Sequence, residues 1–425
     1  MLDLNFVRTH SETVRAGLAA KGDTTSLDPL LEVDRRHREA ITRLNELRAR
    51  RNRASEAIGA AKRAGKDAQE AIAAMQAVAR DIKQLEQEES RLQQELQDRL
   101  LATPNLPHAS VPRGTSEADN VVVRTWGEPL AADFPLKNHL ELGEDLGLFD
   151  FRRGAKMSGS GFPLYTGDGA RLERALLNFM LDFHRERYGF TEIFPPFVTR
   201  PEAMETTGQL PKFAEDMYYI DRDQAYLIPT AEVPVTNIHR DEILDESQLP
   251  LRYVAYSACF RREAGSYGKE TRGFLRLHQF NKVELVKFVR PDTSYEELES
   301  LTAQAEAVLQ ALGLHYRVVS LSSGDLSFAA AKCYDLEVWA PGERQWLEVS
   351  SCSNFEAFQA RRGRIRYRRA ADKKVDFVHT LNGSGVATPR LLVALLETYQ
   401  TPEGRVRLPE PLQAYMGTSL LTPCD

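Results

Sequence analysis

The chain has 425 residues, 42% of them hydrophobic and 27% charged. That balance excludes a disordered chain, and the length points to two or three domains. Its 55 basic and 61 acidic residues leave a formal charge of −6, which excludes a uniformly basic nucleic-acid coat protein.

No apolar run is long enough to span a bilayer. The opening Met1-Leu2-Asp3-Leu4-Asn5 has no basic region followed by an apolar stretch, so no secretory signal is expected. Four cysteines (Cys259, Cys333, Cys352 and Cys424) form no C-x-x-C pair and are too few for a disulfide framework. A reducing cytoplasm is the expected compartment, and no structural zinc is expected.

Thr24-Thr25-Ser26 punctuates a short opening, and a long helical pattern follows over 27–101. Leu30, Leu44 and Ile58 fall at heptad position a, with Val33, Ala40, Leu47 and Ala54 at d. A second stretch puts Met75, Ile82 and Leu96 at a, with Val78, Leu85 and Leu92 at d. His37, Arg51 and Glu89 interrupt the seam. A break between Gly59 and Lys66 predicts an antiparallel helical hairpin. Each limb would be roughly 35 residues, or about 50 Å. Composition alone favours the plainer reading, an oligomerisation coiled coil.

Pro104 and Pro107 end the helices, so residues 1–102 form an N-terminal domain and 103–120 a linker. The second domain covers 121–425. Its expected helices are 168–188, 295–312 and 386–399. Its expected strands are 225–229, 251–258, 278–289, 315–320, 333–339 and 345–352. Strands and helices do not alternate regularly, which predicts an α+β domain around an antiparallel sheet.

Common nucleotide signatures are absent. Gly265-Ser266-Tyr267-Gly268-Lys269-Glu270 lacks the glycine spacing and the Ser or Thr of a P-loop. The stretch 259–285 is more informative, reading as strand, polar loop and strand. Alternation puts Phe280, Lys282 and Glu284 on one face, with Arg276 in the same parity. A ring flanked by arginines suits a nucleotide: the ring stacks on a base and the guanidiniums grip phosphates. The plain alternative is a half-exposed strand with surface ion pairs. Glu348 and Ser351 are two oxygen donors suited to Mg²⁺, unless they are simply a serine-rich strand end. Thr380 to Gly385 reads as a glycine-bearing turn feeding a helix with Arg390 in its first turn, against the helix dipole.

With these segments in view, the chain resembles the bacterial-type seryl-tRNA synthetases, of class II, over nearly its whole length. Gly189 to Pro196 is similar to motif 1 (about 189–200), the dimer-interface element. Phe260-Arg261-Arg262-Glu263 through Glu284 is similar to motif 2, and Asn382-Gly383-Ser384-Gly385 through Arg390 to motif 3 (about 380–399). Thr207 to Phe213 and Thr230-Ala231-Glu232 also follow the family.

The resemblance implies a class II antiparallel-sheet catalytic domain with an N-terminal helical arm. It implies an ATP site of Arg261, Arg262, Glu263, Arg276, Leu277, Phe280, Glu348, Val349, Ser350, Ser351 and Arg390, although alternation turns Arg262 outward. Arg261 would contact the α-phosphate, Glu263 the adenine amino group, and Phe280 and Arg390 would sandwich the adenine. Glu348 and Ser351 would bind Mg²⁺. Arg261, Glu348 and Arg390 would carry catalysis. Thr230, Ala231, Glu232, Arg261, Glu284, Asn382 and Ser384 would hold L-serine. The implied partners are tRNA(Ser), tRNA(Sec) and a second copy of the chain. Motif 3 departs from some relatives in reading Ala-Thr-Pro-Arg at 387–390, with the arginine kept. The other reading is a synthetase-like paralogue that keeps the fold without charging tRNA, but the chain retains the arm and the motif arginines.

The net charge conceals an uneven arm. Residues 32–66 hold 11 Lys or Arg against 5 Asp or Glu, whereas 67–99 hold 4 against 8. Arg35, Arg36, Arg43, Arg48, Arg50, Arg51 and Arg53 form a basic limb suited to RNA phosphates, unless they are only a solvated helix surface. Reversing Arg48, Arg50 and Arg53 to Glu is expected to weaken tRNA charging and spare serine-dependent exchange of pyrophosphate into ATP. Equal loss of both would show that the limb acts through folding.

Overall fold

The computed structural model describes residues 1–65, 67–264 and 273–423. Part of the motif 2 loop, Gly265 to Arg272, and Cys424 lie outside these residues. The chain divides into two compact units. One comprises Leu2–Ala16 and Thr24–Thr103, the other Met1, Gly17–Asp23 and Pro104–Asp425.

The first unit is built on two long helices, α1 (Asp28–Arg63) and α2 (Gln69–Ala102). Pro29 sits in the first turn of α1, where its missing N–H costs nothing. The expected seam is the packed one: Leu30, Val33, Ala40, Leu44, Ile58, Val78, Ile82, Leu92 and Leu96 are buried. Two of the polar interruptions answer each other, since His37 Nε2 meets Glu89 Oε1 at 3.0 Å. The first limb ends inside the expected Gly59–Lys66 span, toward its far end. Helix α1 continues through Gly59 and stops at Ala64, and Gly65 takes φ +68°. A helical glycine costs about 1 kcal/mol without ending the helix, whereas the left-handed position at the turn favours glycine.

The second unit holds an eight-stranded sheet. Its strands are β1 (Val121–Trp126), β2 (Thr191–Ile193), β3 (Leu251–Phe260), β4 (Gln279–Val289), β5 (Tyr316–Ser320), β6 (Lys332–Ala340), β7 (Gln345–Asn354) and β8 (His379–Ala387). Their spatial order is β1-β5-β6-β7-β8-β4-β3-β2. Every pairing is antiparallel except β2 with β3. Helices α3 (His139–Asp145), α4 (Gly167–Tyr188), α5 (Ser294–Ala311) and α6 (Thr388–Thr398) accompany it. Leu172 and Leu176 of α4, Leu298 and Leu301 of α5, and Leu391 and Leu395 of α6 join Val283 and Leu285 of β4 in one apolar cluster.

Two expectations change here. Thr380 to Gly385 is not a turn: it lies in β8, and the helix begins only at Thr388. Glycines at 383 and 385 are used because Cβ atoms there would come within 2.9 Å of Cys352 Sγ and 2.8 Å of His184 Nε2. The segment after Thr103 is also no free linker, because buried Asn105 donates to the carbonyls of Ala329 and Phe355. The short strand Ala225–Leu227 forms within the expected 225–229 but joins a separate three-stranded sheet.

Ile82→Ala removes a side chain packed against Leu44 and Val78. Such a deletion costs on the order of 2–5 kcal/mol. Amide exchange over residues 72–88 is expected to accelerate while exchange in β4 and β8 stays unchanged. Unaltered exchange in the hairpin would show that Ile82 does not carry the pairing.

Candidate active site

A cavity of about 630 Å³ opens over the centre of the sheet, with side chains from β4, β7 and β8 in its wall. Beneath it lies Glu284 of β4, whose side chain is fully buried. Burying a carboxylate requires charge and hydrogen-bond compensation. Thr230 Oγ1 donates to Oε2 at 3.1 Å, Asn382 Nδ2 to Oε1 at 3.0 Å, and the Lys282 ammonium pairs with Oε2. Asn382 Oδ1 is buried and makes no hydrogen bond among the described residues. Glu232 sits beside this cluster and accepts from Gln359 Nε2 at 2.7 Å. Burial, then the charge of Glu284, push its carboxyl up to about 7. This end of the cavity therefore offers carboxylate oxygens, an amide oxygen and a hydroxyl to a small polar ligand.

The other part of the cavity wall is aromatic and cationic. The Arg261 guanidinium lies 5.2 Å from the centroid of the Phe280 ring. Arg276 Nη1 donates to Glu263 Oε2 at 2.6 Å. Arg390, in the first turn of α6, donates from Nε to Leu275 O at 3.2 Å and from Nη1 to Glu348 O at 2.9 Å. An aromatic face and three guanidiniums lining one cavity are chemically matched to a nucleotide.

Arg390 is set by what holds the start of α6. Thr388 Oγ1 donates to Glu173 Oε1 and sits 3.1 Å from Asn281 O, while Asn281 Nδ2 donates to Glu173 at 2.8 Å. Glu173 Oε2 has no partner among the described residues, and burial pushes this carboxyl up to about 7.

Glu348 and Ser351 share the cavity for a reason that spacing alone does not supply. Residues three apart on a regular strand face opposite ways. The β6–β7 register slips between Leu336 and Glu337, so Glu337 opposes Glu348 but Leu336 opposes Ser350. Val349 and Ser350 are consequently both buried, and Glu348 and Ser351 both line the cavity. A β-bulge of this kind re-aims side chains. It also brings Asp335 opposite Ser351. Burial and the neighbouring Glu348 raise the Asp335 carboxyl well above its usual range.

Comparison with known proteins agrees with this arrangement. The family model described as Seryl-tRNA synthetase N-terminal domain matches residues 1–107. The model of the tRNA synthetase class II core domain (G, H, P, S and T) matches residues 216–399. A serine–tRNA ligase of Geobacter sulfurreducens is 55% identical over 417 residues, covering 98% of this chain and 99% of that one. The chain belongs to the seryl-tRNA synthetase family. One from Chlorobium phaeobacteroides is 53% identical over 422 residues, with 98% of each chain covered. Among solved structures, seryl-tRNA synthetase from Pyrococcus horikoshii complexed with ATP matches with TM-score 0.94 and 38% identity over the whole of both chains. The cytoplasmic serine–tRNA ligase of Naegleria fowleri in complex with AMP matches with TM-score 0.89 and 31% identity, covering 100% of this chain and 99% of that one.

In this synthetase, Thr230, Glu232, Arg261, Glu263, Arg276, Leu277, Phe280, Glu348, Val349, Ser351, Asn382, Ser384 and Arg390 all line the cavity, and Glu284 is bonded beneath it. Three residues expected in the site are not brought into it. Arg262 is exposed and does not line the cavity; it follows the end of β3 at Phe260, and its backbone N–H donates to Asp216 O at 2.9 Å. Ser350 is buried by the bulge and donates to Ser384 O at 2.6 Å. Ala231 packs with Val235 and Ala255 in a separate apolar cluster. Asp335, Glu173 and Gln359 escaped the sequence reading. Asp335 depends on the bulge, and the other two lie far from any motif.

Glu173 gives the synthetase a signed pH response. A carboxyl raised from an ordinary value of 4.5 to about 7 favours the fold while protonated, and this contribution is lost as pH rises through that window. Glu173→Gln is expected to reduce the fall in apparent thermal midpoint between pH 5 and pH 8. An unchanged or larger fall would refute the raised carboxyl.

Proposed function

We propose that the chain activates L-serine with ATP and transfers it to tRNA(Ser), and that it also serves tRNA(Sec). The observation carrying this reading is a buried carboxylate, Glu284, bonded by Thr230 and Asn382 at one cavity with Arg261, Phe280 and Arg390. In the first step the serine carboxylate attacks the α-phosphorus of ATP, and pyrophosphate leaves. In the second, the terminal ribose hydroxyl of tRNA attacks the seryl carbonyl, and AMP leaves.

No protein nucleophile is needed, since both attacking groups belong to substrates. The chain orients reactants and stabilises developing charge. Glu232 and Thr230 hold the serine ammonium, and Glu284, Asn382 and Ser384 surround its hydroxyl. Arg261 bridges the serine carboxylate and the α-phosphate. Phe280 and Arg390 flank the adenine, Glu263 reads its amino group, and Arg276 supports the phosphates.

Glu348 and Ser351, which both line the cavity, fit a hard cation because each offers oxygen. Mg²⁺ bound there would neutralise phosphate charge.

A homodimer across motif 1 is supported by β2 at the sheet edge and by Phe194, 77% exposed beside it. On the arm, Arg43, Arg50, Arg51 and Arg53 make no ion pair among the described residues, and they would meet RNA phosphate. Arg35, Arg36 and Arg48 already pair with Glu32 and Glu39, Glu88 and Glu86. Action in the cytoplasm is consistent with the absence, among the described residues, of a helix long and apolar enough to cross a membrane.

Serine-dependent exchange of pyrophosphate into ATP tests the reading, with threonine and alanine run beside it. A site built to pair with a substrate hydroxyl rejects an analogue lacking it by about 10⁴-fold or more. Glu284→Ala is expected to abolish that discrimination and most serine activation while leaving tRNA binding intact. Wild-type activation by this variant would refute the role of Glu284.

A further inference from the structure

A second buried polar cluster lies beside the ATP half of the cavity, formed by His139, Glu343 and Glu397. The His139 and Glu397 side chains are fully buried, and Glu343 is 10% exposed. We infer that His139, held by Glu343 and Glu397, is a positioning residue that sets the backbone of Phe274–Arg276 against bound ATP. This rests on the reading of the cavity as the ATP site.

Three features converge on that stretch of chain. Phe274 N–H donates to His139 Nε2 at 3.4 Å. Its ring is buried between Phe149 and Phe151 while lining the cavity. The next residue, Leu275, gives its carbonyl to Arg390, and Arg276 pairs with Glu263. The preceding Gly273 passes so close that a Cβ would lie 2.3 Å from His139 Nε2, and its φ of +61° also favours glycine. The chain thus meets the imidazole on one side and Arg390 on the other.

The imidazole is itself fixed. Because Nε2 accepts, the ring proton belongs on Nδ1. Nδ1 lies 3.1 Å from Glu343 Oε1 and 3.4 Å from Glu397 Oε1, close to both carboxylates but aligned for a hydrogen bond with neither. Glu397 also accepts from the backbone N–H groups of His139, Gly342 and Glu343. It follows Arg390 by two turns on α6, so both project from one face of that helix. Helix α6 therefore grips residues 274–276 twice: directly through Arg390, and through His139, whose backbone N–H Glu397 accepts. An apolar residue at 139 would leave the Phe274 N–H without its acceptor.

The test is steady-state pyrophosphate exchange with the full chain, varying ATP and serine separately. His139→Leu is expected to raise KM for ATP about tenfold, the effect of losing one buried hydrogen bond and stranding its partners. KM for serine should stay within about twofold. His139→Gln keeps an acceptor for Phe274 and a donor for Glu343, so it should restore KM for ATP to within about threefold of wild type. Active-site titration separates these effects from misfolding. If His139→Leu does not fold, Glu343→Gln carries the same comparison, with a rise in KM for ATP of about threefold expected.

Equal behaviour of the Leu and Gln variants, or parallel rises in both KM values, would overturn the inference and leave His139 a core residue. So would stoichiometric metal that leaves with His139→Leu, because an imidazole ligating through Nδ1 carries its proton on Nε2 and cannot accept from Phe274. Absence of any exchange in the wild type would refute the reading of the cavity instead.

Discussion

A carboxylate buried in the middle of a sheet is the constraint around which this site is arranged. Glu284 lies on β4 with its side chain removed from water. An uncompensated charge there would cost several kcal/mol or more, so its partners must arrive with the correct geometry. They come from separate parts of the chain: Lys282 from β4 itself, Asn382 from β8, and Thr230 from the segment before Glu232. Asn382 opposes Val286, and Ser384 opposes Glu284, so the β8–β4 register places the amide within reach. A shift of one residue would turn Asn382 to the other face and leave the carboxylate short of a donor. The compensation of one charge and the alignment of two strands are thus the same requirement.

The opposite half of the site shows where sequence pattern stops being sufficient. Strand alternation correctly puts Phe280, Lys282 and Glu284 together. The same rule applied to Glu348 and Ser351 would separate them. They share the cavity because one extra residue is inserted in β7, and that insertion depends on long-range pairing with β6. Asp335 was invisible for the same reason: its neighbour across the ladder is set by the slip. Glycine content misled in a related way. Gly383 and Gly385 read as a turn, yet they make room in a strand for Cys352 and His184. A single sequence records that a residue is small but not which atom requires it to be.

The helical hairpin was more legible because its information is local and repeated. A heptad seam is specified over many residues, and each apolar position supports the same register. His37 and Glu89 looked like defects in separate limbs, yet they are partners. A charge count could not reveal this. It gave a basic limb and an acidic limb, but not that Arg48 is engaged by Glu86 while Arg50 and Arg51 make no ion pair among the described residues. The cations suited to phosphate are therefore fewer than the composition of the limb suggests.

Helix α6 connects these observations. Its first turn carries Thr388, which Glu173 anchors, and Arg390, which reaches the carbonyls of Leu275 and Glu348. Two turns on, Glu397 collects the N–H groups of Gly342 and Glu343 at the β6–β7 turn and that of His139 at the start of α3. One short helix thereby ties the hairpin that contains the bulge to residues 274–276 within motif 2. An arginine early in a helix opposes the dipole, a cost of a few tenths to about 1 kcal/mol. Two backbone carbonyls accepting from Arg390 offset it locally, since hydrogen bonds from a charged donor contribute about 1.5–3 kcal/mol each. The placement is therefore favourable only where strand β7 and the 274–276 segment are already adjacent. That makes Arg390 a sensor of the assembled site as well as one of its groups.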